Sequence, residues 1–358
     1  MRILHVTDRL SDRGGAYWHL LGVLGSLAAS HELKLAVGRD DGQVPAPCPV
    51  NVVPGLDARE RRALDLDPLL ASFQPDLVHV HNVVNPAVLE WAAQRRALLT
   101  VQDHRAFCPF RGKWKADGTP CREAMRTETC APCFDDGGYF REVLALTQER
   151  LAALRRLRVV VLSRYMRDEL LAVGVPGERV HVVAPFVHGL DLAAEPDGPP
   201  CVLFVGRLVE AKGVADAAEA WRRSGLELPL VFAGTGPLRG LAEASGAEVL
   251  GWVPHSRLAS LYRRARALVF PSRWQEPFGI AGLEALSLGT PVAAWDSGGV
   301  REWHPGEGLV PWGDVEGLAA ALRQAAGRRA SAPTGFGRAE LMGRLEDLYR
   351  EERALMPL

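Results

Sequence analysis

Residues 267–295 read ALVFPSRWQEPFGIAGLEALSLGTPVAAW: a short apolar run, a loop punctuated by Pro and Gly, a helical stretch and a second apolar run. Strand, loop, helix and strand in that order form the repeating unit of a parallel sheet covered by helices. Pro277 suits the first helical position, where its missing N–H is no loss, and Gly289-Thr290-Pro291 ends the helix before the second strand. This reading puts Glu276 in the loop and Glu284 inside the helix. Between them, the N–H groups of Phe278, Gly279 and Ile280 are expected to face outward at a helix start, which with its positive dipole is a place for an anion. The plainer alternative is an acidic residue complementing a dipole and a solvated helix position.

The same alternation runs through the chain. Apolar runs at 2–6, 33–37, 51–53, 77–80, 98–101, 159–162 and 180–183 are each followed by turn residues or a helix. The Pro- and Gly-rich stretch 195–200 reads as a linker, after which runs recur at 201–205, 229–233, 248–250, 267–270 and 291–295. The expected fold class is α/β, with two Rossmann-like doubly wound parallel-sheet domains in tandem. They cover residues 1–186, with a cysteine-rich insert at 107–136, and residues 187–337. At 358 residues the chain exceeds the size at which single cores stop growing, in keeping with two domains. The final segment, 338–358, is mostly helical, carries Leu341, Leu345, Leu348 and Tyr349 on one stripe, and is expected to pack back on the first domain.

Apolar residues make up 47% and charged residues 24%, the balance of a globular protein rather than a disordered or fibrous one. A formal net charge of −1 removes the general electrostatic case for nucleic acid. No apolar run approaches the ~20 residues that span a bilayer, and the N-terminal residues lack a signal peptide's apolar core. The expectation is a cytoplasmic protein, free to touch a membrane surface transiently.

In open parallel sheets, ligands sit beyond the carboxyl ends of the strands, and two such edges facing each other would form a cleft. Gly206-Arg-Leu-Val-Glu-Ala-Lys-Gly213 lies at such an end and sets Arg207 and Lys212 between a strand and a helix. Arg as a planar fork and Lys as a point charge could stabilise a diphosphate without a metal ion; a solvated loop with an Arg207–Glu210 ion pair is the alternative. At 1.5 Å per residue, Glu276 and Glu284 would lie about 12 Å apart along a helix axis, roughly the reach from the sugar to the ribose of a nucleotide sugar. Gly14 and Gly15 follow the first strand and would let a ligand approach the backbone, although a glycine pair is also ordinary in a turn. Gly234-Thr-Gly-Pro-Leu-Arg-Gly240 resembles a dinucleotide-binding turn with spacing off by one. The strand beyond it ends at Val253-Pro254-His255 with no carboxylate for a ribose, so backbone near Val253 and apolar walls are expected to hold a base instead.

Gln102-Asp103-His104 ends the run 98–101 at the same kind of edge. His104 could bond a sugar hydroxyl or manage an acceptor proton with Asp103 orienting it, or it could simply satisfy loop carbonyls. Cys108, Cys121, Cys130 and Cys133 fall in a stretch without periodicity, whereas Cys48 and Cys201 stand alone. Four thiolates with a Cys-x2-Cys pair suit a closed, structural zinc ion; free thiols, disulfides and an iron-sulfur cluster stay open, because the first spacing, Cys-x12-Cys, is not that of a paired knuckle.

Taken together, these residues resemble the retaining glycosyltransferases of the GT-B fold, specifically family 4. The resemblance covers almost the whole chain: Gly14-Gly15, Asp76-Leu-Val-His-Val-His-Asn82, Ser163-Arg-Tyr-Met-Arg167, Gly206-Arg-Leu208 with Lys212-Gly213, Gly251-Trp-Val-Pro254, and 271–279 through Glu284. It implies that Glu276 contacts donor sugar hydroxyls, that Glu284 contacts the ribose, and that Arg207, Lys212 and the Gly14-Gly15 loop hold the diphosphate. Many members carry His-Asp where this chain has Gln102-Asp103, which leaves His104 two positions from the family's catalytic histidine.

The reaction so implied is transfer of a sugar from a UDP- or GDP-sugar to an acceptor hydroxyl of a glycan, glycolipid or small molecule. The anomeric configuration would be retained and no catalytic metal would be needed. Arg207, Lys212, Glu276 and His104 are the expected catalytic set. Competing readings are a nucleotide-sugar hydrolase or epimerase on the same fold, a noncatalytic sugar-nucleotide-binding protein, and an NAD oxidoreductase, the last disfavoured by the missing ribose acid.

Overall fold

The computed structural model describes residues 1–355. Contacts divide the chain into two compact units: Met1–Asp117 with Cys121–His188 and the segment from Gly337 onward, and Gly189–Phe336 with Gly118–Pro120.

The first unit holds seven parallel strands: β1 (Arg2–Leu10), β2 (Glu32–Asp40), β3 (Val50–Val52), β4 (Leu77–His81), β5 (Leu98–Val101), β6 (Arg158–Val161) and β7 (Val180–Val182). Their order is β3-β2-β1-β4-β5-β6-β7. The chain winds outward from β1 to β3 and returns on the other side of β1, so the loops after β1 and β4 leave in opposite directions and open a crevice between them. The central strands are continuous apolar runs because helices cover both faces; Ile3, Leu4, Val6, Val80 and Leu98 are fully buried. Helix starts follow local chemistry. The Asn85 side chain caps the helix Pro86–Gln94 at the Ala87 N–H, and Asp136 caps Gly137–Leu154 at Gly138 and Tyr139.

Strand β1 runs four residues beyond the apolar stretch, since Arg9 and Leu10 continue the register with Arg39 and Asp40 of β2. Sequence reading ends it at residue 6, where polar residues begin; Asp8 is therefore on the strand and not in the following loop. His79 and His81, two apart on β4, share a face, and His5 lies in register beside His79. His79 Nδ1 is 2.7 Å from the Tyr349 hydroxyl and its Nε2 2.7 Å from Thr100 Oγ1, while His5 Nδ1 stands 3.0 Å from His81 Nε2. With Leu341, Leu345 and Leu348 buried, this network seats the helix Arg338–Leu355 on the first unit.

The second unit holds six parallel strands: β8 (Cys201–Val205), β9 (Leu230–Ala233), β10 (Glu248–Gly251), β11 (Ala265–Phe270), β12 (Val292–Trp295) and β13 (Leu309–Val310). The order β10-β9-β8-β11-β12-β13 places its reversal between β8 and β11. β13 is absent from the sequence reading because two residues carry no periodicity. Among the described residues, no helix is long and apolar enough to cross a membrane.

Candidate active site

The loops after β8 and β11 diverge at the point where the second sheet reverses its order, the place where such sheets bind ligands. They are packed backbone against backbone. Gly213, at φ 72°, sits where a Cβ would lie 1.9 Å from the Pro271 carbonyl oxygen, and a Cβ at Gly234 would lie 1.8 Å from that of Gly206. Only glycine fits at either position. The Ala211 carbonyl accepts from the Arg273 and Trp274 N–H groups at 3.0 and 3.2 Å, and the Leu208 N–H donates to Thr235 at 2.8 Å. The glycines of the turn after β9, which mimic a dinucleotide fingerprint in the sequence, thus serve to admit the neighbouring loop.

This clamp brings Lys212 and Glu276 together. Lys212 Nζ donates to Glu276 Oε1 at 2.6 Å and lies 4.6 Å from the centre of the Trp274 ring. The Ser272 hydroxyl donates to the same carboxylate oxygen. The Glu276 side chain is 4% exposed and that of Lys212 20%. Burial alone would raise the Glu276 carboxyl, but the Lys212 charge and the hydrogen bonds from Lys212 and Ser272 outweigh it and hold the group below its ordinary value. Glu276 is therefore a fixed anion beside a partly open cation.

The helix after this loop runs Ile280–Ser287, with Gly279 as its N-cap in the left-handed region at φ 87°. This corrects the expectation for Pro277, which lies in the loop, because the chain turns at Gly279 before the first helical residue. The helical spacing of about 12 Å between the two glutamates consequently does not apply. The N–H groups of Phe278, Gly279 and Ile280 find no acceptor among the described residues, while the Phe278 side chain is buried and its carbonyl accepts from Trp303 Nε1 at 2.6 Å.

Glu284 is not a solvated helix position. It is 5% exposed, with His255 Nε2 3.1 Å from one carboxylate oxygen and the Tyr262 hydroxyl donating to the other at 2.9 Å. Sequence reading missed both partners. They lie on the helix His255–Arg264 at positions seven apart, a spacing that shares one face and could have signalled them. Arg207 is exposed and makes no side-chain ion pair among the described residues, so the Arg207–Glu210 pair considered from sequence is not formed. Val253 is half-buried, just beyond β10.

In the first unit, Gly14 caps the helix Gly15–Leu27 at φ 131° and both glycines are exposed. Beside this loop lies a network not anticipated from sequence. The Asp8 carboxylate accepts from Asn82 Nδ2 at 3.2 Å and from the Tyr17 hydroxyl at 3.3 Å, and Asn82 Oδ1 accepts from Arg105 Nη2 at 3.0 Å. Arg105 also pairs with Asp103 at 2.5 Å. Burial raises the Asp8 carboxyl despite Arg105 and the bonds from Asn82, Thr7 and Tyr17, and raises the Tyr17 hydroxyl to about 12. Asp103 therefore pairs with Arg105, and His104 is 1% exposed with Nε2 3.0 Å from the Tyr165 hydroxyl. Cys108, Cys121, Cys130 and Cys133 are all free thiols.

Comparison with known proteins follows these two units. Residues 14–185 match the family described as "Glycosyl transferase 4-like domain" and residues 199–327 match "Glycosyl transferases group 1". The chain is 35% identical over 202 residues to glycogen synthase of Mycobacterium tuberculosis (strain CDC 1551 / Oshkosh), covering 49% of this chain and 48% of that protein. It is 38% identical over 290 residues to 2-deoxystreptamine N-acetyl-D-glucosaminyltransferase of Streptomyces fradiae, covering 73% and 64% respectively. The chain thus spans about half to two-thirds of the length of these curated relatives. Its fold is GT-B: the structure of Alr3699/HepE of Anabaena, solved in complex with UDP and glucose, matches with a TM-score of 0.69 at 17% identity over 98% of this chain and 100% of that one.

Proposed function

The chain belongs to the group 1, family 4-type glycosyltransferases, and from that premise we propose that it moves a sugar from a nucleoside diphosphate sugar to an acceptor hydroxyl with retention of configuration. The observation that carries this reading is the Lys212–Glu276 pair, 2.6 Å apart on two loops that diverge at a switch point.

An ammonium has three N–H donors. One is spent on Glu276, and the others are free for a diphosphate whose charge grows as the bond from the anomeric carbon to the phosphate oxygen breaks. Arg207, exposed and unpaired among the described residues, supplies a second cation, and the N–H groups of Phe278, Gly279 and Ile280 supply fixed dipoles. The acceptor oxygen bonds to the anomeric carbon on the face the phosphate leaves, and its proton passes to the departing phosphate oxygen. Glu276 accepts from donor sugar hydroxyls through the oxygen not engaged by Lys212. Glu284 keeps lone pairs beyond those used by His255 and Tyr262, enough to accept ribose hydroxyls. Val253 borders the base.

We place the acceptor at the β1/β4 edge of the first unit, where Asp8, Asn82 and Arg105 offer both donors and acceptors to a polyhydroxylated molecule. The Streptomyces fradiae relative is named for 2-deoxystreptamine, which makes small polyhydroxylated cyclitols the first acceptors to try. His104, nearly fully buried against Tyr165, acts in this proposal by orienting the loop and not by touching substrate. The test is incubation with UDP-, GDP-, ADP- and dTDP-sugars plus acceptors, with products read by NMR. A glycoside of the donor's own anomeric configuration supports the proposal. Free sugar as the sole product indicates a hydrolase, and an inverted glycoside overturns retention.

A further inference from the structure

Residues 102–126 form no helix or strand, yet they carry Asp103 and Arg105 of the β1/β4-edge network, and stretches this long without secondary structure need something else to hold them. The apolar anchors are Phe107 and Trp114, at 1% and 4% exposure, and the cysteines lie between and beyond them. Lys113 ties the first two together. It is in the left-handed region at φ 60°, its N–H points at the Cys108 sulfur together with that of Phe110, and its carbonyl accepts from the Cys121 N–H at 2.7 Å. Its buried ammonium is held by Glu169 at 2.8 Å and the Glu123 carbonyl at 2.5 Å, which fixes a backbone that would otherwise relax. The Ala116 N–H points at the Cys133 sulfur, and Cys133 lies within electrostatic range of Cys121 and Cys130. Cys130 closes the helix Thr127–Cys130 and Cys133 the single turn after it, so the Cys-x2-Cys pair shares one helical stretch.

Backbone N–H groups aimed at the Cys108 and Cys133 sulfurs orient them as an outer shell does around a structural site. We infer that Cys108, Cys121, Cys130 and Cys133 bind one structural zinc ion, which orders the loop carrying Asp103, His104 and Arg105. No three of these sulfurs stand within 4.8 Å of one another among the described residues, as the ligand nitrogens of His5, His79 and His81 do. Zinc–sulfur bonds of ~2.3 Å require about 3.8 Å between sulfurs, so binding would draw the Cys130–Cys133 turn inward. The histidine trio is the poorer site: both His79 nitrogens are already engaged by Tyr349 and Thr100, and no anionic ligand accompanies it.

The experiment is elemental analysis of the full chain purified under reducing conditions, with zinc release by a mercurial followed with a metallochromic dye. The expected result is about one zinc per chain, released as four thiols are titrated, and an intense visible absorption from tetrahedral thiolate when cobalt replaces zinc. Cys121→Ser is expected to lose the metal; if that variant does not fold, the wild-type stoichiometry still decides. Absence of zinc with refusal of added zinc or cobalt overturns the inference. So does a brown, iron-containing protein, or a thiol count that drops by four before any reductant is added.

Discussion

Lys212 and Glu276 at the β8/β11 edge stand 2.6 Å apart, with only 4% of the glutamate side chain in water, whereas at the β1/β4 edge the paired side chains of Arg105 and Asp103 are 35% and 22% exposed. Both edges arise from the same topology, a parallel sheet whose strand order reverses. The first is a pre-set charge, held by backbone that only glycine permits and sheltered from water, where electrostatic interactions are strong. The second is a more exposed network of hydrogen-bond donors and acceptors around Asp8, Asn82 and Arg105. Identical topology therefore leaves the chemistry to the loops: in the function proposed above, fixed charge serves the diphosphate and adaptable hydrogen bonds serve the acceptor.

The largest expected break of this contrast comes from Lys212→Ala. It is expected to lower kcat/KM by about 10²–10³, the scale of removing one charge-stabilising donor, and a loss below tenfold in initial-rate kinetics would erase the distinction between the edges. Glu284→Gln keeps the shape but removes the charge that its bonds assist, so the dissociation constant for the nucleoside diphosphate should rise about tenfold by calorimetry.

Acid should separate the units differently. Burial lowers His5 to about 3 and His19 to about 4, and carries His79 and His81 well below the ordinary value. The unfolded chain then binds more protons than the folded one below about pH 6.5, so this stability is complete above that pH and is lost as pH falls, by on the order of 1 kcal/mol per histidine at pH 5.5. Glu276 has the opposite charge type but the same direction: its folded value lies below its ordinary one, so its contribution holds above about pH 4.5 and fades beneath it. Hydrogen exchange, corrected for intrinsic rates, should show β1 and β4 loosening between pH 6.5 and 4.5 while β8 and β11 stay protected. Simultaneous loosening would contradict the assignment. The smallest effect belongs to Asn82→Ala, a neutral hydrogen-bond loss of about 1 kcal/mol, expected to raise the acceptor KM roughly fivefold and leave donor affinity unchanged.

Much of the second unit could be read from sequence because its signals are local. Arg207 and Lys212 follow one strand by a few residues, and Glu276 and Glu284 follow another. What could not be read was the partnering, since Lys212 meets Glu276 across 64 positions and Glu284 meets His255 across 29. The start of the helix was misplaced at Pro277 because proline favours a first turn, while the left-handed Gly279 decides where the turn begins. The first unit was less legible. Asp8 lies on β1 and Asn82 and Arg105 in the loops after β4 and β5, each unremarkable alone, and only the strand order makes them neighbours. His79-Val80-His81 did carry a signal, the period of two that puts both imidazoles on one face, but nothing local announces Tyr349 as the partner.

The central claim, that the β8/β11 edge is a preformed diphosphate site, is tested most directly by calorimetric titration of UDP, GDP, ADP and dTDP into the full chain and its Lys212→Ala variant. The account predicts one nucleotide bound per chain and an affinity at least tenfold weaker in the variant. Equal affinity in the two proteins, or no binding of any of the four to the wild type, would contradict it.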